Sequence, residues 1–360
     1  MSLESFKRSI ELGRQGFNQG FSMGLPKLEE LIGGITKSTM TLLFASSGQG
    51  KSSCVLYSYI YAPLKEHLED NKLRIIFFAL EMKEDFIIAK LLSTYLYDTY
   101  HIVVTAKQIL SIGKDYILPD DLYEYVQLGY DWLEKVYKVL TIYEGSFNSD
   151  KLIKVTMEEL KKEGEFIENK YIPKDPEKVI LSVTDHVGLI QPSNGRNRKG
   201  EIDDYTNKLV IIRNKTGLSP IIVMQSNRAV ANMERKKNEA FMEPMVEDIK
   251  ETSTVSENSE IILAVYNPQV DKRTTYRGYQ VKEMGYRFRS ILVLKSRYGE
   301  NQVADCCFFD GAVNKWMEMP KPEEIFDYSR YRATNNSSTD NIIKNEDKDE
   351  KVKNKLDYSL

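Results

Sequence analysis

The chain has 360 residues, 41% of them hydrophobic and 29% charged, with a formal net charge of −3. That length builds a substantial core, and the charge balance excludes a globally basic nucleic-acid binder, so any such site must be a local patch. Three cysteines without a CxxC pair (Cys54, Cys306, Cys307), three scattered histidines, no signal peptide and no long apolar run exclude a disulfide framework, a zinc ribbon and a membrane partner, and predict a soluble protein of a reducing compartment.

Residues 1–20 open with Leu3, Phe6 and Ile10 near one helical face, a segment too short to be stable alone. It packs either on its own core or on a neighbour. Residues 24–35 read as a short helix and a Gly33-Gly34 turn. Met40-Thr41-Leu42-Leu43-Phe44 predicts a strand, and a helix follows from Ser53 to about Tyr61. The next strand is Leu73–Leu80, ending at Glu81-Met82, with a helix from near Lys83 to about Tyr97. Residues 106–162 are mostly helical, with a helix start at Pro119-Asp120 and a short strand at Thr141-Ile142-Tyr143.

Pro173 and Pro176 bracket a turn before the third core strand, Val179–Asp185. Ser193–Gly200 is a basic loop, Ile202–Lys215 a helix and Ile221–Gln225 a strand. Residues 228–259 are polar, a length that inside a domain is usually functional or mobile. Ile261–Tyr266 is the fifth core strand. Tyr286–Lys295 and Gln302–Phe309 form an antiparallel pair turning at Arg297–Glu300, and from about Thr334 the composition predicts disorder. Alternating strands and helices predict an α/β fold with a mostly parallel sheet flanked by helices and a C-terminal antiparallel hairpin. The expected organisation is a linker helix (1–20), one large domain (21–328) and a disordered polar tail (329–360).

Ala45-Ser46-Ser47-Gly48-Gln49-Gly50-Lys51-Ser52 lies between the first strand and its helix. Strand, glycine-bearing loop and helix are the context of a phosphate-binding P-loop, although Ala45 replaces the usual first glycine. Curled backbone N–H groups and the helix N-terminus would hold an anion. Ser47, Gly48, Gln49, Gly50, Lys51, Ser52 and Ser53 are therefore the candidate nucleotide-binding residues. Lys51 would reach the β- and γ-phosphates of ATP, and Ser52 would hold Mg²⁺.

Ligands of such sheets bind outside the carboxyl ends of the strands. Asp185 ends a strand there and suits Mg²⁺ opposite Ser52; a strand-end turn cap is the plainer alternative. Glu81 is either a base for the attacking water or an acid at a helix start. Gln225 is either a γ-phosphate sensor or a polar strand end. Lys295 and Arg297 sit at the hairpin turn, either solvated or reaching a neighbour's nucleotide as an arginine finger. Arg196, Arg198 and Lys199 form one basic loop, and Lys236, Lys237 and Lys250 another; each is either solvated charge or a nucleic-acid contact.

The order of these motifs resembles the RecA-like motor domain of the DnaB-type replicative helicases, from about Gly24 to Phe309. Residues 45–52 match Walker A. Ala79-Leu80-Glu81-Met82 is close to "SLEM", whose Glu is the catalytic base. Thr184-Asp185-His186-Val187-Gly188-Leu189-Ile190 resembles "DYLQLI", and Gln225-Ser226-Asn227-Arg228 resembles "SQLNR". Asp248-Ile249-Lys250-Glu251-Thr252-Ser253 aligns with the single-strand-gripping "DLRESG". Lys295-Ser296-Arg297-Tyr298-Gly299 matches "KQRNG", which acts on the neighbour's γ-phosphate.

The family's "DAD" is here Asn258-Ser259-Glu260, and the strand-gripping loop has Lys250 for Arg and Ser253 for Gly. The resemblance implies a RecA-like P-loop NTPase fold and a hexameric, ATP- and Mg²⁺-dependent 5′→3′ DNA helicase of a bacterial or phage-infected cytoplasm. Lys250, Glu251 and Ser253 would then contact DNA beside Arg196, Arg198 and Lys199. Partners would be single-stranded or forked DNA and a primase, polymerase, loader or single-strand-binding protein. A RecA/RadA-type recombinase, a KaiC-like ATPase or an ATP-switched loader shares the core.

Overall fold

Long apolar runs that carry no polar side are covered on both faces, the situation of a strand inside a parallel sheet. In the computed structural model, these runs become β1 (Thr41–Ala45), β2 (Leu73–Ala79), β6 (Val179–Asp185), β7 (Ser219–Gln225) and β8 (Ile261–Tyr266), buried throughout save Gln225. The structure describes residues 3–15, 19–168, 170–193, 195–226, 242–249, 253–297 and 299–331. With β3 (Leu140–Glu144), β9 (Phe288–Ser296), β10 (Val303–Asp310) and β11 (Lys315–Glu318), they form one sheet ordered β11-β10-β9-β8-β1-β7-β6-β2-β3. The strands from β8 to β3 run parallel, and β9 to β11 run antiparallel.

Alternation along each strand divides the core. Leu42, Phe44, Ile76, Phe78, Ile222 and Met224 pack on one face; Leu43, Ala45, Phe77, Val183, Ile221 and Val223 pack on the other. The register aligns Ala45 with Gln225 and Ala79 with Asp185, so the strand ends that carry the polar residues lie level.

Several boundaries differ from the sequence expectation. The helix expected from Ile202 spans Arg198–Thr216, because the Asn197 side chain caps it by accepting from the Gly200 N–H at 2.8 Å. Residues after the helix Ser149–Glu163 turn back as a hairpin, β4 (Gly164–Ile167) and β5 (Lys170–Pro173). A Cβ on Gly164 would come within 2.6 Å of the Ile172 carbonyl oxygen, so glycine permits that approach. β7 starts at Ser219, which places Pro220 second in the strand, before the pairing with β1 begins at Ile221. β11 was not anticipated; it carries the fully buried Trp316. The P-loop helix begins at Lys51 and continues through a π-helical turn, Leu56–Tyr61, to His67.

The N-terminal helix, Leu3–Arg14, leaves Leu3, Phe6 and Ile10 at 68%, 54% and 50% exposure. No helix among the described residues is long and apolar enough to cross a membrane. Arg228, Lys236, Lys237, Lys250, Glu251 and the tail from Thr334 lie outside the described residues.

Candidate active site

The loop between β1 and its helix owes its shape to two glycines. Gly48 (φ 77°) and Gly50 (φ 102°) occupy the left-handed region, and Gly50 is the residue preceding the first helical turn. Ser47 and Gly48 are exposed; Lys51, Ser52 and Ser53 are half-buried. Gln49 differs, since its side chain turns inward and its Oε1 accepts the Asn267 N–H at 3.2 Å. The Ser46 and Ser226 hydroxyls meet at 2.8 Å, joining the loop to the end of β7 and leaving Gln225 beside it.

Two strands, β7 and β6, stand between β1 and β2, so Glu81 does not follow an adjacent strand. It still reaches the loop. Lys51 Nζ donates to Glu81 Oε2 at 3.1 Å, and His186 Nε2 lies 3.8 Å from the same oxygen. Leu80 N–H donates to the Asp185 carbonyl at 2.9 Å, which locks Glu81 and Asp185 side by side.

Asp185 is 2% exposed, and neither carboxylate oxygen has a hydrogen-bond partner. Burial pushes its pKa up, while the Lys51 charge and the nearby Ser52 hydroxyl pull the other way. A buried carboxylate with two unsatisfied oxygens next to a serine hydroxyl is the donor set of a hard divalent cation, so Ser52 and Asp185 fit Mg²⁺.

Two cations at this end escape a motif-based reading. Lys90 Nζ donates to the Ser53 hydroxyl at 3.2 Å; its burial lowers its pKa against the opposing pull of Asp185. Arg289 Nε donates to the Gln49 carbonyl at 2.8 Å. Each had a signal in the sequence. Lys90 occupies a core-facing helical position beside Ile87 and Leu91, and Arg289 shares the alternation of Ile291 and Val293.

Lys295 and Arg297 lie at the other end. β9 runs antiparallel to β8, and Ser296 pairs with Ile261, where β8 begins. Lys295 Nζ donates to the Ser256 and Glu257 carbonyls at 2.8 and 3.2 Å, and burial lowers its pKa. Arg297 is half-exposed and lies 3.4 Å from Glu260. Neither cation shares its own chain's P-loop end.

Among the basic-loop residues, Arg196 is engaged by Asp204 at 2.8 Å and Glu201 at 3.6 Å. Arg198 and Lys199 are exposed in the first turn of their helix, and Ser253 is exposed at the start of the helix Ser253–Asn258.

A family model, the DnaB-like helicase C-terminal domain, matches residues 128–317, just over half of the chain. The chain belongs to the DnaB-like helicase family. The matched span of this DnaB-like helicase holds Asp185, Gln225, Lys295 and Arg297; the P-loop and Glu81 precede it. Its fold is similar to that of a solved ATPase domain (TM-score 0.66, 15% identity, 88% of this chain and 98% of that one). It is similar again to a DnaB-like replicative helicase described with its interactions with primase (TM-score 0.67, 16% identity, 89% of this chain and 68% of that one). No curated protein sequence matches the chain. The protein is thus an ATP-dependent helicase of this family.

Proposed function

We propose that this helicase is a hexameric ring that translocates 5′→3′ on single-stranded DNA, hydrolysing ATP at the interfaces between subunits. The observation that carries the reading is the placement of Lys295 and Arg297 at the sheet end away from their own P-loop. A finger placed there completes a neighbour's site.

In this mechanism the P-loop amides and Lys51 bind the phosphates, and Lys51 exchanges its Glu81 partner for them. Glu81 then takes the proton of the attacking water, with His186 beside it. Ser52 and Asp185 would hold Mg²⁺, which when bound would supply positive charge for the phosphate oxygens. Gln225, next to the loop, reports the γ-phosphate to the segment that follows β7. Lys295 and Arg297 of the next subunit stabilise the charge that develops on the transferred group.

The domain reading is a motor from 21 between a linker, 1–20, and a tail; the expected boundary at 328 moves outward, since Ser329–Tyr331 form a 3₁₀ turn with Tyr331 packed on Phe308. The exposed Leu3, Phe6 and Ile10 support docking of the linker on an adjacent subunit. Deleting residues 1–20 is expected to abolish hexamers in analytical ultracentrifugation. DNA contacts fall to Arg198 and Lys199, with Arg196 bracing their loop, and to Lys250, Glu251 and Ser253. Primase is the first protein partner to examine, and the setting is a bacterial or phage-infected cytoplasm.

The test is unwinding of 5′-tailed and 3′-tailed forked duplexes with ATP and Mg²⁺. Unwinding that requires the 5′ tail and disappears in Lys51→Ala supports the proposal. Hydrolysis stimulated by DNA without strand separation counts against it.

A further inference from the structure

Arg289 is an unusual residue for the interior of a sheet. It is 5% exposed, and its hydrogen-bond acceptors are carbonyls: Gln49, Phe288 and Tyr286. Among the described residues no carboxylate forms an ion pair with it. Burying a guanidinium without a carboxylate partner is costly, so its position is held by these carbonyls and by the Phe309 ring, over which it lies 5.4 Å from the centroid. One of those contacts is the P-loop itself. A Cβ added to Gly50 would lie 3.6 Å from Arg289 Nε and 3.5 Å from the Trp316 ring, so both residues support the loop at that glycine. The Gln49 side chain is held from β8 through Asn267, and its carbonyl from β9 through Arg289.

The same strand ends at the finger. From Arg289 to Arg297 is about 27 Å of extended chain. The β8–β9 register shifts between Ile262 and Leu263, whose partners are Lys295 and Val293, leaving Leu294 as the extra residue immediately before the finger. Such bulges turn the side chains that follow. The carboxylate that meets Arg297, Glu260, also accepts the Met40 N–H at 2.8 Å, directly before the strand that leads into the P-loop. Both ends of β9 are therefore tied to β1 and its loop.

We propose that Arg289 is a positioning residue for the nucleotide, acting through the Gln49 carbonyl, and that β9 carries the state of its own P-loop to Lys295 and Arg297 at the neighbour's site. This rests on the finger acting between subunits. The strand is the connection: one end grips the loop that closes on phosphate, and the other presents the finger.

Steady-state hydrolysis by the full chain tests it, with ATP KM, kcat and Hill coefficient measured for wild type, Arg289→Gln and Arg289→Lys. Arg289→Gln is expected to raise KM about tenfold, the loss of one charged hydrogen bond to the loop, and to bring a Hill coefficient above one down to one. Arg289→Lys keeps the charge and one donor, and restores part of both. It also carries the test if the glutamine variant does not fold. A wild-type Hill coefficient of one, or an unchanged KM and Hill coefficient in Arg289→Gln, overturns the proposal. So does an equal loss of kcat in both variants with a lower melting temperature and no change in KM.

Doping Arg297→Ala chains into wild type separates this inference from the reading beneath it. Suppression no greater than the dopant fraction overturns action between subunits. Suppression beyond that fraction, with Arg289→Gln unchanged in KM and Hill coefficient, overturns the β9 connection alone.

Discussion

The two ends of the sheet are built differently. At the carboxyl end, residues from four separate segments converge: the P-loop after β1, Gln225 on β7, Asp185 on β6 and Glu81 after β2. Lys51 and Glu81 touch there, and both Asp185 carboxylate oxygens are buried beside them. At the opposite end, Lys295 and Arg297 are held by the chain's own carbonyls and by Glu260, well away from any phosphate cradle of that chain. One end is a nearly complete site. The other, in the proposed ring, would serve the nucleotide of a second copy.

Not every cation at that second end is a candidate for reaching a neighbour. Arg74, at the start of β2, is closed within the chain: Glu159 accepts from it, as do Thr141 and the Val139 and Lys138 carbonyls. Burial alone would raise the pKa of Glu159, but Lys162, Tyr143 and Arg74 together bring it down to about 2. Position at the amino ends of the strands therefore does not by itself suggest a finger; Arg297 is set apart by its half-exposed guanidinium, directly after a strand that carries a bulge.

The contrast is broken or sharpened by four measurements. Arg297→Ala should lower ATP hydrolysis about 10³-fold or more while nucleotide binding, followed with a fluorescent analogue, stays within a few fold. Normal hydrolysis would remove the far end from the catalytic account. Glu81→Gln should cost about 10²-fold or more in hydrolysis, again with binding retained, because the base belongs to the complete end. Lost binding instead would make Glu81 a structural partner of Lys51.

Glu159 gives the control for the closed ion pair. Its folded pKa lies below the ordinary carboxylate value of 4.5, so its stabilisation is present above pH 4.5 and is lost as pH falls toward 2. That amounts to about 3 kcal/mol, and denaturant titrations at pH 7 and pH 3 should show much of the difference disappear in Glu159→Gln. Equal acid sensitivity in the variant would reject it. The smallest effect belongs to Arg198→Ala and Lys199→Ala, each expected to reduce the salt dependence of single-strand binding by about one ion. Unchanged slopes would return both residues to the solvated surface.

How much of this was legible depends on the range of the interaction. The apolar runs determined β2, β6 and β8 nearly to the residue, because burial on both faces leaves a local mark in composition. The P-loop was equally plain, since the left-handed backbone at Gly48 and Gly50 favours glycine and both stand in a motif of fixed spacing. Motif order identified Glu81, Asp185, Lys295 and Arg297 as candidates. The short hairpin after Glu163 and the strand Lys315–Glu318 left too little periodicity to be seen.

The order of the strands, and hence which candidates meet, was decided only by the tertiary structure. No local pattern says that β7 and β6 separate β1 from β2, or that Glu81 nevertheless reaches Lys51. Nor does one say that Arg289 would close on Gln49, more than two hundred residues away in sequence, because a charged residue in an apolar strand does not name its partner. Periodicity and motif reside in neighbouring residues, whereas partnership between distant residues comes from the sheet register, and the register exists only once the chain has folded.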